Sequence, residues 1–416
     1  MIIQNVKLTP VAIPDVPLVN TKGVHQAVFL RTIIEIETDD GQVGIGESYG
    51  GARALNGMRQ AANALVGLDP FHLNELRQRV ETALPNAGGI NAPTMLTQHQ
   101  VVDAVYSAFE IPLLDIQGKV LNRPLCDLLG GAVRDRVSFG GYLFYKFAKP
   151  EQYPGPDLFD EVMTPEALVN EAKSLVKTYG FRSLKLKGGV LEPKLEIETM
   201  QALRDEFPDA ALRIDPMGAW RVPTAMSICE EIGDILEYLE DPVRGMEAMA
   251  ELASKTDVPL ATNLVVVEFE QVVEAYRNGA VQIILSDHHY WRGATGSIRL
   301  GEFCRAGGLG ISMHSNTHLG ISLAAMIHVA AATPNLTYDC DTHYPWTQSD
   351  IITGGKLTID GGSIKVPEGP GLGVEIDQDA LAEFHNLYLS QNLRDREDTD
   401  EMLKYIPDYK RVVPRW

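Results

Sequence analysis

Seven polar residues stand where this sequence could do chemistry: Lys187, Asp215, Glu240, Asn263, Asp287, His314 and Asp341. They recur at intervals of 23 to 28 residues and sit at the ends of short apolar runs, SLKLKGG, ALRIDP, LEYLEDP, PLATN, QIILSD, GISMHS and TYDCD. Asp215, Glu240 and Asn263 are consecutive in the series. Three oxygen donors suit a hard ion such as Mg²⁺ and leave positions for water or substrate oxygens. Any one of them alone reads more simply as the cap of a following helix; three in succession favour the metal.

Lys185 and Lys187 lie two apart in SLKLKGG, so on a strand they share one face. Two inward cations should depress each other's pKa and yield a neutral amine able to act as a base. The bland alternative is an exposed strand with two solvated lysines, which the surrounding apolar series disfavours. Asp287 and His314 close neighbouring runs. An Asp accepting from one imidazole nitrogen orients the ring and leaves the other nitrogen to take a proton. His328, in an apolar helical stretch, reads as structural, while His288, His289 and His318 remain open. A divalent metal, an amine base on one side and an imidazole base on the other suit removal of a proton α to a carboxylate, the metal stabilising the enolate. A small acid with a leaving group at its β carbon would then lose water.

The elements that must position these groups follow from the same pattern. Short apolar runs that are continuous rather than alternating read as buried parallel strands. One βα unit every 25 or so residues predicts a (β/α) barrel, with GYLFY supplying its first strand. An open doubly wound sheet is the competing arrangement. It would concentrate polar residues at one switch point, and no GxGxxG follows the first strand of the repeat. Ahead of the barrel, VFLRTIIEIET and GQVGIGES predict two strands joined at DDG, followed by helices from about 52 to 130. The Gly-rich tail from about 351 reads as a short hairpin plus a turn, with a charged helical segment after it.

Composition narrows the function classes. The chain has 416 residues and a formal net charge of −20. That balance argues against nucleic acid and against anionic membrane surfaces, although local lysines or a metal still permit an anionic substrate. No apolar run is long enough for a transmembrane helix, and the N-terminal segment lacks the basic and apolar regions of a secretory signal. Cys126, Cys229, Cys304 and Cys340 form no CxxC pair. A cytoplasmic protein with reduced thiols is the expectation.

KLKGGV at 185–190, LEDP at 239–242, ATN at 261–263, HSNTHLGIS at 314–322 and DTHYPW at 341–346, with NTKGVH at 20–25, GYLFY at 141–145 and PGLGVEID at 370–377, resemble the enolase superfamily and, within it, the glucarate dehydratase subgroup. The resemblance spans nearly the whole chain. It implies an α/β architecture: an α+β capping domain over 1–135, a TIM-type (β/α)₇β barrel over 136–375 and a C-terminal segment, 376–416, returning to the cap. It implies Asp215, Glu240 and Asn263 as Mg²⁺ ligands, with Glu247 the rival second carboxylate because the stretch after LEDP is short. It implies Lys187 as the base on one face, Lys185 beside the substrate carboxylate, and His314 with Asp287 on the other face. Asn20, His25, Tyr142, Ser315, Asn316, His343 and Arg396 would contact substrate, Asn20 and His25 from the cap.

The implied activity is dehydration of an acid sugar, D-glucarate first, by a homo-oligomeric enzyme. Another acid sugar, galactarate or an aldonate, is the alternative. A weakly active acid-sugar-binding paralogue is a third; it should have lost a base or a ligand, and none is missing. The chain departs from the subgroup's DPNGAW, reading DPMGAW with Met217 beside Asp215, and has HLGIS where HFDIS is common.

Overall fold

The computed structural model describes residues 1–85, 98–148 and 160–416, with only the backbone of 98–100. The helical pattern expected across 86–97 lies outside them. The N-terminal region is an antiparallel sheet in the order β1–β4–β5, formed by β1 (Ile3–Pro14), β4 (Val28–Thr38) and β5 (Val43–Tyr49), with a ribbon of β2 (Val19–Asn20) and β3 (Gly23–Val24). Helices α1 (Ala52–Ala62), α2 (Leu73–Ala83), α3 (Gln98–Leu121) and α4 (Leu125–Leu128) follow. Ile34, Ile36, Met58, Leu76, Phe109 and Leu113 belong to the core between this sheet and its helices. The sequence pattern suggested two strands, and β1 is a third. Pro10 and Pro14 interrupt its pattern, and both are tolerated because β1 is an edge strand paired only with β4.

The middle of the chain alternates strand and helix: β6 (Arg136–Leu143), α5 (Pro165–Tyr179), β7 (Ser183–Lys187), α6 (Pro193–Glu206), β8 (Ala211–Asp215), α7 (Val222–Ile232), β9 (Leu236–Glu240), α8 (Met246–Ala253), β10 (Leu260–Thr262), α9 (Phe269–Asn278), β11 (Ile283–Ser286), α10 (Gly293–Gly307), β12 (Gly310–Met313), α11 (Gly320–Ala331) and β13 (Cys340–Thr342). The strands pair in parallel in the order β12–β11–β10–β9–β8–β7–β6–β13, a near-closed barrel of eight strands with seven helices between them. Ser312 Oγ donates to Asp339 O at 2.9 Å beside the remaining gap. Local chemistry sets the helices: α5 starts at Thr164, whose hydroxyl accepts from Ala167 N, with Pro165 in the first turn, and stops at Gly180 with φ +75°.

The tail differs from its expectation. β14 (Ser363–Lys365) does not form a hairpin with the preceding segment; it adds antiparallel to β6. The expected hairpin is reduced to a single pair, Asp360 with Ser363, which exchange backbone hydrogen bonds of 2.9 and 3.1 Å across Gly361 and Gly362, and Ile352 bridges Ile376 farther along the tail. Two helices, α12 (Gln378–Ser390) and α13 (Asp398–Met402), follow. Tyr388 of α12 packs with Ala12 and Leu30, and His385 Nδ1 lies 2.7 Å from Pro10 O. No helix among the described residues is long and apolar enough to cross a membrane.

The N-terminal region docks on the barrel through carboxylates placed at helix N-termini, where backbone N–H groups lack helical partners. Glu47 on β5 accepts from Leu319 N and Ser322 N, at 3.0 and 2.8 Å, at the start of α11. Glu110 on α3 accepts from Ala294 N at 2.6 Å and from the Thr295 hydroxyl at the start of α10. Burial pushes the Glu110 carboxyl up to about 7 against those hydrogen bonds. Helix α3 carries Pro112 in its interior and lies close on β5. A Cβ at Gly46 would come 2.7 Å from Pro112 Cδ, and one at Gly44 would fall on the Pro112 carbonyl. Gly44→Ala should therefore destabilise the fold by about 1–3 kcal/mol, the usual cost of overpacking. An unchanged midpoint and amplitude in thermal unfolding would show that α3 does not press on β5.

Candidate active site

The polar residues of the sequence series are brought to one end of the barrel. Lys187, Asp215 and Glu240 are the last residues of β7, β8 and β9; Asn263, Asp287 and His314 directly follow β10, β11 and β12; and Asp341 lies within β13. Parallel register puts Lys187 beside Asp215 and Lys185 beside Arg213. All seven side chains are buried, so each charge needs a partner within reach.

Lys185 Nζ lies 2.5 Å from both Glu240 Oε2 and Asp341 Oδ2, and Lys187 pairs with Asp215. Both ammonium groups stand over Tyr142, 4.7 and 5.2 Å from its ring centroid. Mutual depression of the two lysines, expected from their spacing, is overturned for Lys187. Burial lowers its pKa, but Asp215, Glu240 and Asp341 outweigh burial and hold the ammonium above its ordinary value. The strand-end spacing showed the lysines and did not show how many carboxylates face them.

The two carboxylates behave oppositely. Burial disfavours the charge on Asp215, but Lys187 and Lys185 hold it below the usual range. Burial and the nearby charge of Asp215 push Glu240 well up. Asn263 Nδ2 donates to Glu240 Oε1 at 3.2 Å, which leaves the amide oxygen available. Two mutually repelling carboxylates and an amide oxygen on three adjacent strand ends fit a hard divalent cation, which would relieve the repulsion. Glu247, the rival ligand, is exposed in the first turn of α8, on the far side of the β9–α8 turn.

His314 Nδ1 lies 3.1 Å from Asp287 Oδ2. Burial opposes the charge on Asp287, yet His289 and His314 hold it well below the carboxylate range. Lys187 on β7 and His314 after β12 sit across the barrel from one another, with β6 and β13 between them on the short side. His328 is buried on α11 with Nε2 3.1 Å from Leu372 O, a structural role.

The expected substrate contacts fall in two groups. Asn20 and Arg396 converge on Asp398: Asn20 Nδ2 at 3.0 Å, Arg396 Nε and Nη2 at 2.5 and 2.8 Å. His25 Nδ1 lies 3.1 Å from Asp15 Oδ2, and its ring stacks on His343 at 5.6 Å. Neither His343 nitrogen has a hydrogen-bond partner among the described residues. Burial, assisted by His25, Arg396 and Lys187, pushes His343 down to about 3, so it presents one neutral donor and one acceptor, as a sugar hydroxyl requires. Ser315 Oγ donates to Asn316 O at 2.9 Å, and Asn316 Nδ2 has no partner among the described residues.

Five residues of this neighbourhood had no role assigned from sequence: Asp341, Asp15, Asp398, Lys22 and His289. Asp341 was visible as a strand end. Lys22 stands beside NTKGVH's two expected contacts, and burial lowers its pKa to about 7 against the pull of Asp398. Asp15 and Asp398 act through partners 10 and 378 residues away, a relation that no local pattern carries.

Known proteins resemble this chain over its whole length. Residues 3–130 match the mandelate racemase / muconate lactonizing enzyme N-terminal domain, and residues 167–380 match the enolase C-terminal domain-like family. A probable glucarate dehydratase of Streptomyces coelicolor is 46% identical over 100% of this chain and 99% of its own. The crystal structure of an enolase from Pseudomonas fluorescens with bound magnesium, potassium and tartrate is 47% identical, with a TM-score of 0.96 over 100% of this chain and 99% of that one. An enolase from Thermobispora bispora, complexed with magnesium and formate, is 45% identical with a TM-score of 0.97 over 100% of both chains.

Met217 has a local physical signature. It is half-buried, its N–H donates to Asp215 Oδ1 at 2.9 Å, and its φ is +50°. A non-glycine residue in the left-handed region pays about 1–2 kcal/mol, which Asn escapes in part by local hydrogen bonding. Met217→Asn should raise unfolding stability by about 0.5–1 kcal/mol. A melt in which Asn is no more stable than Met would show that the turn is unstrained.

Proposed function

The chain belongs to the enolase superfamily, and from that premise we propose that it is a hydro-lyase that dehydrates an acid sugar, D-glucarate being the substrate we favour. One observation carries this reading: a lysine side chain, Lys187, and an imidazole–carboxylate pair, His314 with Asp287, face one another across a barrel mouth whose strand ends also carry oxygen donors suited to a hard cation. The relatives support the chemical class, since tartrate, bound by the Pseudomonas fluorescens enolase, is a small hydroxy diacid. In this reading Asp215, Glu240 and Asn263 hold Mg²⁺. When bound, the ion supplies positive charge to the substrate carboxylate as its α carbon loses a proton.

The chain's own residues do the remainder. Lys187 Nζ takes the α proton from one face as a neutral amine, a form it reaches only when a bound cation offsets the charges of Asp215 and Glu240 that otherwise hold its ammonium. His314, held through Nδ1 by Asp287, offers Nε2 to the other face. Lys185, between Glu240 and Asp341, is placed to meet the substrate carboxylate. His343, His25, Asn20, Tyr142, Ser315, Asn316 and Arg396 would bind the hydroxyls and the distal end of the substrate, where Phe144 packs edge-on against His25, His343 and Trp346. A second reading, another acid sugar such as galactarate or an aldonate, is favoured by Met217. A thioether accepts weakly and donates nothing, whereas an Asn would engage a substrate hydroxyl.

Two measurements test the proposal. A panel of acid-sugar diacids and monoacids, assayed with Mg²⁺ by keto-acid formation, should show turnover that EDTA removes and added Mg²⁺ restores, and Asp215→Ala should abolish it. Undiminished activity in excess EDTA refutes the metal assignment. Exchange with D₂O at the α carbon should separate the bases: Lys187→Ala loses exchange at one configuration and His314→Ala at the opposite one, each by ~10²-fold or more. If His314→Ala leaves both untouched, the imidazole is not a base here.

A further inference from the structure

Asp287 serves two imidazoles. Oδ2 faces His314 Nδ1 at 3.1 Å, and Oδ1 faces His289 Nδ1 at 2.8 Å and accepts from His289 N at 2.9 Å. On the far side of the His289 ring, Nε2 lies 2.9 Å from Arg31 Nη2 and 3.0 Å from Ser322 Oγ. A guanidinium nitrogen has only protons to offer. His289 Nε2 must therefore carry its lone pair, and the ring proton must sit on Nδ1, pointing at Asp287.

Arg31 cannot turn away. It is 2% exposed, its Nε donates to Glu47 Oε1 at 2.6 Å, and Tyr49 lies beneath it at 5.6 Å. Glu47 is itself fixed by Leu319 N and Ser322 N of α11. A continuous buried chain thus runs from β4 and β5 through Arg31 and His289 to the Asp287–His314 pair.

We infer that Arg31 and His289 are positioning residues for the His314 base: Arg31 selects the Nδ1–H form of His289, which occupies Oδ1 of Asp287 and leaves Oδ2 as the acceptor that sets the His314 ring. In the opposite tautomer His289 Nδ1 would present a lone pair to a carboxylate oxygen and drive Asp287 from its place. This inference rests on the reading of His314 as a base, but the tautomer it requires does not.

The test has two arms on the full-length protein. Long-range ¹H–¹⁵N correlation of ¹⁵N-histidine-labelled protein, with the His289 signal assigned by its loss in His289→Asn, should show the Nδ1–H tautomer. An Nε2–H or doubly protonated ring overturns the inference, whatever the substrate. In the second arm, α-proton exchange in D₂O is compared at centres facing His314 and Lys187. His289→Leu should lower the His314-facing exchange by ~10-fold or more relative to the Lys187-facing one. His289→Asn, which keeps an N–H for Asp287, should recover most of that loss. A general packing defect would depress both centres together, and an unchanged ratio in His289→Leu overturns the positioning role. Absence of His314-dependent exchange in the wild type would instead sink the proposed function and, with it, the positioning of a base, whereas the Nδ1–H tautomer set by Arg31 would still stand or fall by the first arm. Should His289→Leu not fold, the wild-type tautomer signal decides.

Discussion

Charge removed from water must be neutralised within a few ångströms, and this demand shapes the whole barrel mouth. Three carboxylates, Asp215, Glu240 and Asp341, and two ammonium groups, Lys185 and Lys187, are almost fully buried on neighbouring strands. None could stand there alone at an acceptable free energy. Parallel pairing of β7 with β8 puts Lys187 in register with Asp215, and β6 between β7 and β13 leaves room for Lys185 to reach Asp341 over Tyr142. A slip of one residue would turn these groups outward and break the pairing. The register of the sheet and the charge pattern of the site are thus one specification.

The arrangement also explains why a cation suits the site. The two lysines already balance the carboxylates in part, yet Glu240 remains pushed toward its neutral form by burial and by Asp215. An ion held by Asp215, Glu240 and Asn263 would relieve the repulsion that the lysines leave.

Much of this was readable along the chain because a (β/α) repeat writes each strand end locally. The βα spacing, the barrel and the positions of Lys187, Asp215, Glu240, Asn263, Asp287 and His314 on one rim follow from short apolar runs that each finish in a polar residue. Relations across the chain were not readable. Strand β1 was hidden by two prolines that only an edge position permits. The protonation expected of Lys187 reversed because Asp215 and Asp341 come from strands 28 and 154 residues downstream, as their numbering shows. Asp15, Asp398 and Arg31 take their meaning from partners on other elements. His289 was visible but ambiguous: only the guanidinium on its far side says where its proton lies.

The carboxylate caps at the seam have a consequence for how the molecule can be taken apart. The first turns of α10 and α11 are completed by Glu110 and Glu47, which belong to the N-terminal region. Separating the two regions would exchange all of these hydrogen bonds for water at once, at about 0.5–1.5 kcal/mol net for each. The N-terminal region is therefore held to the barrel at two helix starts together. By the same token the seam is a poor place for recombination. A chimera that takes its N-terminal half from a relative inherits a working barrel only if that half also brings acids at the positions of Glu47 and Glu110, so the two halves of the chain are bound to vary together.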